Sequence, residues 1–203
     1  MIELLEMLLE TADQQREMEA FFEQRTRAHI QRVQQAADKI ADALPEFNEL
    51  PDIAKDHDAS KLEDPERNPY ISLTWRHKQE IVDDEFDPIN GEGYQHPGML
   101  DKEDENKATL HHVKNNAHHP EYWLKNKDEA NINSEDRNKS DRCVDASKMS
   151  DMAIAEMVAD WIAMSEELQK NTAREWYDSN KNVRWSFSEH QDQLIDKLLK
   201  VFE

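Results

Sequence analysis

Apolar residues recur at steps of three and four along much of the chain, a spacing that aligns them on one face of an α-helix. The longest such pattern predicts an N-terminal helix over residues 1–44, which Pro45 closes. Shorter patterns predict further helices, one beginning near Asp52 and others over residues 69–82, 101–116, 151–170 and 188–202. The pattern as a whole indicates an all-α protein.

The helix predicted over residues 151–170 is apolar on nearly every side, so we expect it to lie in the centre of the core. Asp160 interrupts this run. Because a buried carboxylate needs a partner, Asp160 is a candidate metal ligand, and the alternative is that it points outward or caps a neighbouring helix. We interpret Glu156, on the same helix, as an acidic position that tolerates solvent.

Composition supports the helical prediction. Long runs rich in Ala, Leu, Glu, Lys and Gln favour helix, and the 203 residues include only three glycines. Gly91, Gly93 and Gly98 all fall within residues 83–100, which we interpret as a loop long enough to close over a substrate, the alternative being a mobile surface connection. Residues 124–150 are almost entirely polar and are predicted to be the least ordered part of the chain.

The formal net charge of −20 excludes one class of partner. Such a surface repels the backbones of DNA and RNA, so no polymeric nucleic acid is expected as substrate or partner. A small phosphorylated compound remains compatible with this charge, because metal ions and a lysine can dominate the local field.

The single cysteine and the hydropathy of the chain indicate a cytoplasmic location. Cys143 is the only cysteine, so no disulfide framework is expected and a reducing, cytoplasmic compartment fits best. Residues 1–10 lack a basic start and are interrupted by glutamates, so they predict an amphipathic helix rather than a signal peptide. No membrane association is expected, and assembly into a homo-oligomer stays open.

The dipeptide His57-Asp58 offers one imidazole nitrogen and one carboxylate oxygen, a pair that suits a divalent transition metal of intermediate hardness. If the helix beginning near Asp52 continued, Lys61 would share a face with both residues. A cation beside a metal-bound carboxylate calls for an anion, and phosphate is the obvious candidate. We therefore expect Lys61 to contact a phosphate oxygen of the substrate.

Four of the nine histidines crowd into residues 111–119: His111, His112, His118 and His119. Since Pro120 disfavours helix at the residue before it, the last pair is predicted to turn inward from a helix end. A pH-sensitive surface patch and adventitious metal binding are the alternatives. His29, on the edge of the inward stripe of its helix, has a weaker claim as a ligand, because a lone helical histidine is more often a core or surface residue.

The order His29, His57-Asp58, Asp160 resembles the HD-domain superfamily of metal-dependent phosphohydrolases, which are all-helical proteins whose four such side chains hold one metal. The string from His57 to Lys61, followed by His118-His119, is similar to the HD-GYP branch, which builds sites with two or three metals. The GYP element itself is missing here, which argues against cyclic di-GMP as substrate. The chain also resembles an uncharacterised phage and bacterial family with HD-x-S-K, N-x-H-H-P-E-Y-W and E-M-x-x-D-W motifs.

The resemblance implies a single HD-like helical bundle over residues 1–203. Its N-terminal helix would cover residues 1–44, its metal-site core about residues 25–170 and its C-terminal helix residues 188–202.

We predict one or two divalent transition metal ions (Mn, Fe, Zn, Ni or Co) in this core. The first would be held by His29, His57, Asp58 and Asp160. Because seven ligands are too many for one ion that must keep a water, His112, His118 and His119 would hold a second ion, bridged by Asp58. His111 is the substitute if His112 faces away.

The sequence thus predicts a cytoplasmic metal-dependent phosphohydrolase or phosphodiesterase that acts on a small phosphorylated compound, with a nucleotide as first candidate. Asp58 and Lys61 would be its catalytic residues, and residues 83–100 would gate the site. Two alternatives stay open: a di-iron oxygenase on the same scaffold, and a non-enzymatic acidic binding protein with a structural metal. The preference for hydrolysis rests on analogy within the superfamily.

Overall fold

Helices form nearly all of the regular structure in a computed structural model that describes residues 2–82, 99–127 and 140–203. The first helix, α1 (Ile2–Ala43), ends just before Leu44 and Pro45, where the proline ring cannot continue the helical hydrogen bonds. Within the described residues the later helices are α2 (Leu50–Ile53), α3 (Arg67–Val82), α4 (Lys102–Asn115), α5 (Asp151–Leu168), α6 (Ala173–Asn180) and α7 (Glu189–Leu199). The prediction of an all-α protein is confirmed.

The departures from helix are short. Strands β1 (Val144–Asp145) and β2 (Trp185–Ser186) pair in parallel, with Val144 opposite Trp185. Two-residue strands show no alternation that a sequence pattern could reveal, so the sequence did not predict them. It also missed α6, whose start is fixed by a capping box between Thr172 and Glu175.

Two compact units make up the chain. One consists of Met1–Arg27 and Ser60–Ala108, and the other of Ala28–Ala59 and Thr109–Glu203. We call them the first and the second unit. The single domain over residues 1–203 stays a prediction.

The first unit has a small core of its own, formed by Met18, Phe22, Tyr70, Ile71 and Ala108. An ion pair is buried beside it. The Arg76 guanidinium donates to both carboxylate oxygens of Glu105, and Ser72 donates to the same group. This pairing satisfies the charges that would otherwise be costly inside the unit.

The second unit is built around α5, which the sequence predicted as a central core helix. Ser150 caps its first turn by accepting from the Ala153 backbone N–H, and ten of its side chains are buried, among them Ile154, Met157 and Val158. Helices α2, α6 and α7 pack against it. The core-helix prediction is therefore confirmed.

Several predicted segments lie wholly or partly outside the described residues. These include residues 83–98, with the three glycines of the predicted gating loop, and residues 128–139 of the predicted polar segment. Every helix in the described parts of the chain is too short or too polar to span a lipid bilayer.

Two aliphatic side chains of α5 allow a direct test of where the core lies. Ile154 is 0% exposed and Leu168 is 42% exposed. We expect Ile154→Ala to lower the free energy of unfolding by about 2–5 kcal/mol, because it removes buried methyl groups and leaves a cavity. Leu168→Ala, the matched control, should change it by less than about 0.5 kcal/mol. Equal losses in urea denaturation would contradict the central position of α5.

Candidate metal centre

The backbone turns sharply at His57-Asp58, and the prediction of one helix from Asp52 to Lys61 is wrong. After α2 the chain makes a 3₁₀ turn over Ala54–Asp56, and His57 then leaves helical geometry with φ −52° and ψ 130°. Asp58 follows with φ 56°, in the left-handed region that aspartate tolerates better than most residues. The chain re-enters a 3₁₀ helix at Ala59–Leu62. The turn directs both neighbouring side chains into the second unit, where each is 2% exposed.

Four donor atoms from three segments meet there. The Nε2 of His29, on α1, lies 3.0 Å from Oδ1 of Asp160, on α5. Oδ2 of Asp58 lies 3.7 Å from Nε2 of both His29 and His57, and His57 Nε2 is 3.8 Å from Asp160 Oδ1. We call this group site A. It brings together the four residues that the sequence assigned to a first metal.

A second group faces the other oxygen of Asp58. Oδ1 lies 3.0 Å from Nε2 of His112, at the end of α4, and 3.6 Å from Nε2 of His118. The His119 ring lies 4.9 Å from that of His112 and 4.2 Å from that of His118, centroid to centroid. We call Asp58, His112, His118 and His119 site B.

Local structure explains how site B forms. Helix α4 ends at Asn115, and the Asn116 amide lies 3.1 Å from His112 Nδ1, leaving Nε2 to face Asp58. His119 is extended, with φ −98° and ψ 133°, directly before Pro120. The predicted inward turn of this pair is present. His111 is exposed, so His112 is the residue of the two that reaches the site.

Glu156 is the functional candidate that sequence reasoning missed. It was interpreted as solvent-tolerant, yet it is 7% exposed, and that interpretation is wrong. Its Oε1 lies 2.9 Å from Nδ1 of His57 and 3.3 Å from Nδ1 of His118. Its place four residues before Asp160, on the same face of α5, was the available signal.

The contacts of Glu156 orient the two imidazoles. With Nδ1 of His57 and of His118 turned to the carboxylate, Nε2 of each ring faces Asp58. Metal-binding histidines commonly have a carboxylate at the second ring nitrogen, which sets the tautomer and the ring orientation.

Contacts between opposite charges in the cluster shift the pKa values of His57, Glu156 and Asp160 toward their charged forms. Burial alone would lower the pKa of His57, but Asp58, Asp160 and Glu156 raise it to about 10. Burial would raise the pKa of Glu156, yet contacts with His118 and His57 lower it to about 2. Burial also acts to raise the pKa of Asp160, which His29 and His57 hold well below its usual range.

His118 and His119 of site B behave differently from His57. Burial and the neighbouring His57 lower the pKa of His118, and burial together with His118 and His112 lowers that of His119 well below its usual value. These rings are therefore neutral at pH 7, with lone pairs available as metal ligands.

The donor sets fit metal ions. For bonds of about 2.0–2.2 Å, neighbouring donors around one ion lie roughly 3.0–3.5 Å apart, close to the separations in sites A and B. Nε2 of His57, His118 and His119 is buried without a hydrogen-bond partner among the described residues. Since orphaned buried nitrogens are costly, a cation with open coordination positions would satisfy them. Two groups of these donors lie close enough together to hold metal ions: His29, His57 and Asp58, and Asp58, His112, His118 and His119.

Lys61 and His190 each contact another side chain. Lys61 belongs to the first unit, and its Nζ lies 5.1 Å from the ring centre of Tyr70. The argument that Lys61 shares a helical face with His57 and Asp58 is wrong, since the helix is interrupted between them. His190, exposed, pairs with Asp151.

A cavity of about 290 Å³ opens beside the cluster within the second unit. His119 and Asp160 contribute to its wall, so it adjoins donors of both sites. Three tryptophans and two methionines form much of the remaining lining: Trp161, Trp176, Trp185, Met157 and Met164.

Comparison with known proteins gives one match. Residues 18–201 match the sequence profile described as "Family of unknown function (DUF5662)". No curated protein and no solved structure matches the chain. The matched region contains every residue of sites A and B as well as Glu156. The chain therefore belongs to the DUF5662 family.

Proposed function

We propose that this protein is a metal-dependent phosphohydrolase that acts on a small phosphorylated compound, with a nucleotide as the first candidate. The observation that carries the proposal is the position of the Asp58 carboxylate. Its Oδ2 faces His29 and His57, while its Oδ1 faces His112 and His118. Asp58 would therefore contribute one oxygen to each of two metal sites, an arrangement of the kind that two-metal hydrolases use.

In this proposal the residues of sites A and B would hold metal ions, which would supply a water molecule of lowered pKa and polarise a phosphoryl oxygen. Hydrolysis forms a bond between the water oxygen and phosphorus and breaks the bond to the leaving group, which takes up a proton. Asp58 holds the two sites together, and Glu156 keeps His57 and His118 in ligating orientation. The seven predicted ligands would be the residues of sites A and B.

The charge balance supports an anionic substrate. Asp58, Asp160 and Glu156 carry three negative charges in the site, and the charge of a fourth carboxylate, Glu167 beside His29, is balanced by its ion pair with Arg32. Two divalent ions would exceed the remaining three charges. A phosphate would then meet a positive centre inside a protein with net charge −20.

Two other functions remain hypotheses. A di-iron oxygenase would use the same nitrogen and carboxylate donors, so the donor set does not separate it from a hydrolase. A binding protein with a structural metal would need sites without an open coordination position. Residues His119 and Asp160 border a cavity, which favours access to the sites.

The role of Lys61 now rests on the HD-x-S-K resemblance alone, since the helical-register argument is wrong. Contact of Lys61 with a substrate phosphate stays a prediction, as does gating by residues 83–100.

Adjacent histidines of α4 test the two-metal arrangement. We expect about two metal ions per chain in fully loaded, untagged protein, measured by elemental mass spectrometry after dialysis. His112→Ala should lower this to about one, because it removes a ligand of site B only. His111→Ala should leave the content at two, since His111 is exposed. One ion per chain in the wild type, unchanged by His112→Ala, would contradict site B.

Metal binding should depend on pH. With a pKa of about 10, His57 is protonated at neutral pH in the metal-free protein, and a metal at Nε2 must displace that proton. The apparent affinity should therefore rise by roughly tenfold per pH unit between about pH 6 and 8 for one displaced proton. Calorimetric titration in buffers of different ionisation enthalpy measures the proton release. An affinity independent of pH would argue against His57 as a ligand.

Activity with a metal other than iron, in the absence of oxygen, distinguishes hydrolysis from oxygenation. The manganese-loaded protein should release phosphate or a nucleoside monophosphate from a panel of nucleotides without oxygen. Asp58→Asn should reduce turnover at least about 100-fold, because a weakened bridge costs several kcal/mol of transition-state stabilisation. Asp56→Asn, an exposed neighbour, is the matched control and should keep wild-type turnover. Activity that requires iron and consumes oxygen would favour the oxygenase instead.

A further inference from the structure

The cavity beside the metal centre has a composition unlike the rest of this acidic protein. Among its lining residues Asp160 is the only carboxylate, whereas Lys170 and Arg184 supply positive charge. The rest of the lining is aromatic, aliphatic or neutral polar. A cavity with this lining is complementary to a ligand that combines an apolar ring with negative charge.

The aromatic walls are held in place by each other. The rings of Trp161 and Trp185 stack at 5.7 Å with 23° between their planes, and Trp176 meets Trp185 edge-on at 6.4 Å. The Arg184 guanidinium lies 5.2 Å from the ring centre of Trp176 and 5.8 Å from that of Trp185. Cation–π contacts of this kind keep a cation at a fixed place beside the indoles.

The size of the cavity narrows the ligand class further. A volume of about 290 Å³ is near the lower limit for small-molecule pockets, which favours a compact ligand. Indole faces and the thioethers of Met157 and Met164 are favourable partners for a flat aromatic ring. One end of the cavity reaches Asp160 and His119, so the ring and the metal centre can engage the same ligand.

We propose that this cavity binds the aromatic ring of the substrate, a nucleobase in the simplest case, while the phosphate of the same molecule meets the metals. The inference rests on the proposed function for its phosphate end only. Trp161 already stacks with Tyr177 and Trp185, so the base stacks on the more exposed indole of Trp176, which supplies the affinity. Arg184 and Lys170 favour the anion. The cavity in the second unit would therefore make the protein prefer aromatic over aliphatic phosphate esters.

Adenosine and ribose separate this inference from the hydrolase proposal, since neither carries a phosphate. Adenosine should bind the metal-loaded protein at least about tenfold more tightly than ribose, as expected for stacking of one base. Ligand-detected NMR titration measures both affinities. Equal affinities would overturn the cavity assignment even if the protein hydrolyses phosphate esters. Preferential adenosine binding without any phosphate release would instead leave the cavity assignment intact and count against the hydrolase.

Variants of Trp176 locate the binding within the cavity. Trp176 is 36% exposed, so its replacement leaves the core of the second unit in place. Trp176→Ala should weaken adenosine binding about tenfold, while Trp176→Phe, which keeps an aromatic face, should restore most of it. Met164→Trp should block adenosine by filling the cavity, with metal content unchanged. Wild-type adenosine affinity in both Trp176→Ala and Met164→Trp would overturn the proposal.

Discussion

The burial of the Asp58 carboxylate is the interaction on which the second unit depends. An ion of this kind costs several kcal/mol to remove from water, so a protonated imidazole or a bound cation must compensate its charge. Here four histidine nitrogens approach its two oxygens, two at Oδ2 and two at Oδ1. Segments distant in sequence, from α1 to the end of α4, are thereby required to meet at one turn.

The turn itself carries a cost that the site explains. A non-glycine residue in the left-handed region is less stable by about 1–2 kcal/mol than in the right-handed one. Asp58 adopts φ 56°. In a continued helix its carboxylate would instead point away from the imidazole of His57. Strained backbone of this sort concentrates at functional sites, where the surroundings hold it in place. The donor atoms around Asp58 provide such surroundings.

Helix α5 combines two tasks. Its buried apolar side chains make it the centre of the core, and one narrow strip of the same helix carries Glu156 and Asp160. Glu156 contacts the Nδ1 atoms of His57 and His118, whereas Asp160 faces the Nε2 atoms of His29 and His57. A helix fixed by packing can hold both carboxylates with little freedom, which a metal site with defined geometry requires. The same helix lines the adjacent cavity through Met157 and Trp161, so the core, the candidate metal ligand Asp160 and the cavity share one element.

The sequence by itself determined the helical class, the core position of α5 and the candidate ligands. Periodicity and composition are local properties, and the ordered set His29, His57-Asp58, His112, His118, His119 and Asp160 could be read from them together with a family resemblance. Tertiary structure decided which atoms face one another. The break of helix at His57, the inward burial of Glu156 and the choice of His112 over His111 each depend on contacts between residues far apart in sequence. Local propensity carries no information about such contacts, since a glutamate on an amphipathic helix has the same pattern whether water or an imidazole lies beyond it.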